Sequence, residues 1–99
     1  MSAALTTADV TYAHEDERWL GHGYLGERMN ASSVDMARGD ALAVHFANEA
    51  GLTAEQFFHW MNSRPGRWFG DLVFGGWSDA DVEKQAPALF ARPADWMPA

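Results

Sequence analysis

Arg64 and Arg67 flank Pro65-Gly66 in the run Trp60-Met61-Asn62-Ser63-Arg64-Pro65-Gly66-Arg67-Trp68. Tryptophan, methionine and arginine are enriched at the centres of protein interfaces, because each joins a large contact area to adaptable chemistry. The run therefore offers the chemistry of contact rather than of bond making. Phe74 lies on the side of the following segment opposite the apolar stripe, beside Gly70 and with Arg67. Trp60, Arg64, Arg67 and Phe74 are thus the expected partner-binding residues, the ones a core does not obviously need. A self-complementary version of this surface would give a homodimer.

Other reactive types are present without the spacing that catalysis or ligation needs. His45 with Glu49, and Glu55 with His59, stand at i and i+4 and can each share a helix face. Two ligands do not make a metal site, and no His-Glu-x-x-His run is present. His14, Glu15, Asp16, Glu17 and His22 would gather round an ion only if their loop folded for it. No Gly-x-Ser-x-Gly turn links a nucleophile to a base, and the absence of cysteine removes thiolate chemistry and cysteine-ligated zinc. Gly21, Gly23 and Gly26 do not have the spacing or flanking strand of a phosphate-binding loop. The expectation is a non-enzymatic protein with no catalytic residue, no metal and no cofactor.

Composition narrows the partners. The chain of 99 residues carries 14 acidic against 7 basic residues, a formal charge of −7. The acids concentrate at Glu15-Asp16-Glu17 and in Asp79-Ala80-Asp81-Val82-Glu83. Such a field opposes binding to phosphate backbones or anionic lipid, and favours solubility or a basic protein partner. No apolar run approaches the roughly 20 residues of a membrane span, and the N-terminus lacks the basic and apolar regions of a secretion signal. A cytoplasmic protein is expected.

The contact residues must be positioned by short helices. Residues 1–12 read as a loose arm able to dock through Val10 or Tyr12, ahead of a single helical domain over 13–99. A helical turn is expected near Asp16 to Leu20. An irregular segment should follow, pinned by Trp19, Tyr24 and Leu25, because its glycines weaken a continuous helix. From Ser33 the pattern is helical, with Ser32 or Ser33 as N-cap, a break at Gly39 that Asp40 can recap, and a left-handed stop at Gly51. Thr53 and Gln56 have capping-box spacing, and Leu52 and Phe57 that of a hydrophobic staple, so a helix starts at Thr53 and runs to about Asn62. With Phe57 and Met61 inward, Trp60 falls about 60° to one side, at the rim.

Pro65 suits the first turn of the next helix, whose face is Trp68, Phe69, Leu72 and Val73. Ser78 with Asp81, and Trp77 with Val82, repeat the cap and staple before a last helix that Pro87 should stop or kink. By these signals Phe57, Phe69, Trp68 and Trp77 belong to the core, and Trp96 to a packed coil between Pro93 and Pro98. The fold class is all-α, a compact domain of four or five short helices with an irregular N-terminal segment.

The stretch Ala43 to Trp60, with Ala47, Gly51, Phe57 and Trp60 at the key positions, has the spacing of a helix-turn-helix hairpin. Its would-be recognition helix contains Glu55 and no Lys or Arg, so nucleic acid is a weaker expectation than protein. A DNA-binding transcriptional regulator and an acidic DNA mimic are the alternatives.

Two stretches, Trp19-Leu20-Gly21-His22-Gly23-Tyr24-Leu25-Gly26-Glu27-Arg28 and Asn62-Ser63-Arg64-Pro65-Gly66-Arg67-Trp68-Phe69-Gly70-Asp71, resemble segments of small accessory proteins encoded by actinobacteriophages. The resemblance implies a bacteriophage protein acting in the host cytoplasm by binding a host protein. It carries over no functional residue.

Overall fold

Hydroxyl side chains open most of the helices. The computed structural model describes residues 4–16 and 21–98, which form α1 (Thr7–His14), α2 (Gly23–Arg28), α3 (Ser33–Glu49), α4 (Ala54–Met61), α5 (Arg64–Phe74), α6 (Asp79–Phe90) and a 3-10 turn at Pro93–Asp95. Ser32, Thr53, Ser63 and Ser78 accept the amides of Asp35, Gln56, Gly66 and Asp81, each satisfying one of the free N–H groups that the helix would otherwise expose. At Thr53 the box is reciprocal, since its own N–H donates to the Gln56 side chain at 2.9 Å. No strand occurs among the described residues, and the fold is all-α.

Two segments are more helical than their sequences announce, which brings the α-helices among the described residues to six rather than four or five. α1 begins within the expected arm and runs two residues past its end, with the Thr6 amide donating to Asp9 at 2.8 Å. It is held down by Leu5 and Val10, both buried, and by the Asn48 side chain, which bonds both backbone groups of Leu5 at 2.9 and 3.1 Å. Tyr12 points out, 73% exposed. α2 forms where irregular chain is expected, because Tyr24, Leu25 and Arg28 are all buried and packing overrides the low helix propensity of glycine. Trp19 and Leu20 lie outside the described residues.

Gly39 does not break α3. It is buried, and a Cβ there would lie 2.8 Å from the Phe74 ring and 3.0 Å from the Tyr24 hydroxyl, so glycine is what lets α5 and α2 close on α3. Asp40 is correspondingly no cap but a buried acid. Pro87 does not stop α6 either. The helix continues to Phe90, whose ring stacks on Trp60 at 4.1 Å between centroids and 18° between planes. Burial of Phe90 offsets the one backbone hydrogen bond that proline forgoes.

α5 is the central element, packed most extensively on α2 and also on α3, α4 and α6. At the α2–α5 crossing a Cβ on Gly70 would sit 2.7 Å from that of Glu27. Between the helices lies an aromatic core of Tyr24, Phe46, Phe57, Trp60, Phe69 and Phe90, all buried. The radius of gyration, 12.1 Å, is that of one compact domain. α3 and α4 are joined through Gly51 in the left-handed conformation at φ 73°, as expected, and α4 then packs on α1, α2 and α5. No helix of the described residues is long and apolar enough to cross a membrane.

Candidate partner-binding surface

The four expected contact residues separate. Trp60 is completely buried, which corrects its expected place at the rim. α4 is only 8 residues long and is covered by α1, α2 and α5, so its inward arc takes Phe57, Trp60 and Met61 together. Rings of Phe57, Phe69 and Phe90 surround the indole, and its N–H donates to the Leu89 carbonyl at 2.9 Å. Phe74 is half-buried, 5.7 Å from the Tyr24 ring and against Gly39. Arg67 is exposed on the α2 flank of α5, with its Nε 3.7 Å from a Glu27 carboxylate oxygen.

Arg64 lies in a groove of about 660 Å³, whereas Arg67 borders a smaller pocket of about 350 Å³ on the α2 side. α5 turns inward on Phe69, Leu72 and Val73, and at about 100° per residue Trp68 is carried to the flank. There it is 50% exposed, contrary to its expected core position, and Trp77 is equally exposed beside Gly75. Trp68 and Arg64, at i and i+4, form one wall of an open groove of about 660 Å³. Leu89 of α6 and Arg92, Asp95 and Trp96 of the following turn form the other. Trp68, Arg92 and Trp96 were thus hidden partners of Arg64. The i, i+4 spacing of Arg64 and Trp68 is the signal in the sequence that joins the first two.

Charge sets this groove apart. Arg28 pairs with Asp40 at 2.8 Å, Arg38 with Asp79, Arg67 with Glu27, and Arg92 with Asp95 at 3.1 Å. Arg64 has no ion-pair partner among the described residues. Arg92 is held at φ 57° and ψ 62°, left-handed geometry that disfavours a residue bearing a Cβ. Its side chain is 81% exposed.

A second groove, also about 660 Å³, runs along the other side of α6 and is lined by His45, Glu49, Glu83, Pro87, Phe90 and Arg92, among others. His45 Nε2 is 3.8 Å from a Glu49 carboxylate oxygen. Among the described residues no three His, Asp or Glu side chains converge as a metal site requires.

Below the surface, Arg28 grips Asp40 through Nε and Nη2, and the Tyr24 hydroxyl donates to the same carboxylate at 2.6 Å. Burial, then the Asp40 charge, raises the Tyr24 pKa well above the usual phenol range. Burial pulls on the Arg28 guanidinium in the opposite direction, but its bonds to Asp40 leave it raised. This cluster ties α2 to α3.

Comparison of the chain with known protein families, curated proteins and solved structures finds no match.

Proposed function

We propose that the protein is a non-enzymatic accessory protein of bacteriophage type that binds a protein partner through the groove around Arg64, Trp68, Arg92 and Trp96. One observation carries the reading. A half-exposed tryptophan stands beside an arginine with no ion-pair partner among the described residues, while the other described arginines are paired. An exposed indole in water forgoes the stabilisation of burial, and arginine and tryptophan are the residues on which binding energy concentrates. The groove would form the centre of an interface whose rim includes the outer faces of α5 and α6.

The helix-turn-helix alternative gains no support from α4. That helix turns Phe57, Trp60 and Met61 inward, and its most exposed positions are Ala54 and Glu55, with no base to neutralise phosphate. The DNA-mimic alternative rests on net charge alone.

Site-specific photo-crosslinking in an actinobacterial lysate tests the proposal. A crosslinker placed at Trp68 should yield a discrete protein adduct that one at the more exposed Tyr12 does not. Identical adducts at both positions, or none at position 68, would contradict it.

A further inference from the structure

We infer that the groove's occupant is an acidic segment of a protein partner, with carboxylates meeting Arg64 and Arg92 and an apolar residue lying against Trp68 and Trp96. This rests on the binding reading above and names the chemistry of the partner.

Charge complementarity carries the inference. A chain of net charge −7 repels acidic partners on average, so an acidic segment docks only where cations are concentrated and uncompensated. The groove brings together two of the chain's seven basic residues. Arg64 is uncompensated among the described residues. The pair between Arg92 and Asp95 is exposed on both sides, at 81% and 58%, and an exposed pair of this kind contributes little. An incoming carboxylate can therefore replace Asp95 with small loss. The left-handed backbone at Arg92 is a second observation. Such geometry persists in a residue with a Cβ only where the surroundings enforce it, and it is enriched at ligand clamps. Trp68 and Trp96 line the same groove, and its volume suits a few peptide residues rather than an extended polymer.

The same features argue against a polyanion. A nucleic acid strand or an anionic membrane would carry charge well past the groove, onto the second groove, where Glu49 and Glu83 outnumber Arg92. Two arginines beside Asp95 supply too little neutralisation to hold one.

Fluorescence anisotropy on the full chain tests this with four probes. These are a short peptide alternating Glu with Leu and Trp, its Gln and Lys counterparts, and a thymidine oligonucleotide. The acidic peptide should bind at least about tenfold more tightly than the Gln form, and weaken as ionic strength rises. Arg64→Gln with Arg92→Gln should remove that advantage, whereas Arg67→Gln on the opposite flank should preserve it. Tighter binding of the Lys peptide or the oligonucleotide would overturn the inference. So would failure of the acidic peptide to bind, or affinity indifferent to Arg64. A Gln peptide bound as tightly as the acidic one, yet lost in Trp68→Ala, would remove the acidic specificity while leaving the binding groove in place. Loss of the crosslink at position 68 would remove the groove itself.

Discussion

Trp60 and Trp68 lie eight residues apart on consecutive helices, and the protein treats them in opposite ways. Trp60 has a ring on several sides, its N–H satisfied and no exposed surface. Trp68 shows half its surface to solvent beside an arginine without an ion-pair partner among the described residues. The residue types are the same, so the difference lies in what packs on each helix. α4 is enclosed, whereas α5 buries the arc around Phe69 and leaves its flank open. Abundant aromatics alone do not mark a contact surface, and an exposed one beside unpaired charge is the more informative sign.

The comparison can be broken first at the core. Trp60→Ala should cost about 3–5 kcal/mol and lower the melting temperature by at least about 12 °C. Trp68→Ala should stay within about 0.5 kcal/mol of the wild type. Thermal melts of the two variants side by side check this, and similar losses would mean that Trp68 is structural.

Next in size is the cluster beneath the surface. Asp40→Asn leaves Arg28 buried without its counter-charge and should cost about 3 kcal/mol in urea unfolding. Tyr24 gives the cluster a pH signature. Its pKa is raised in the folded state, so the unfolded chain loses the proton first. Stability is then fully present below the usual tyrosine value and falls by about 1.4 kcal/mol per pH unit above roughly pH 10. Unfolding titrations of Tyr24→Phe should lack this alkaline contribution.

The smallest effect belongs to the opposite flank of α5. Burial first, then the charge and hydrogen bond of Asp71, raise the Glu27 carboxyl, with Arg67 opposing. The folded state therefore holds that proton more tightly, and the penalty of ionising Glu27 grows as pH rises through and above the usual glutamate range. Asp71→Asn should relieve part of it, a gain of about 0.3 kcal/mol at neutral pH that fades in acid. Differential scanning calorimetry at both pH values would register the change.

Much of the helical framework was legible. The cap at Thr53 with Gln56, the cap at Ser78 with Asp81 and the stop at Gly51 are local signals, set by side chains a few residues apart, and each appears in the structure. What was not legible depends on distant partners. α2 is glycine-rich and becomes helical through the burial of Tyr24, Leu25 and Arg28. Gly39 is explained by a Phe74 ring 35 positions away, and the passage of α6 through Pro87 by the stack of Phe90 on Trp60. The candidate surface suffered the same limit. Periodicity gives the spacing of apolar residues on a short helix but not which arc its neighbours cover, and it assigned Trp60 to the rim and Trp68 to the core.

The central claim is that binding and folding rest on different tryptophans. Its most direct test is the affinity of the partner crosslinked at position 68 for Arg64→Glu/Trp68→Ala, measured by titration calorimetry beside a thermal melt of the same sample. The account predicts a loss of at least about 100-fold in affinity with an essentially unchanged melting temperature. Wild-type affinity in that variant would contradict it.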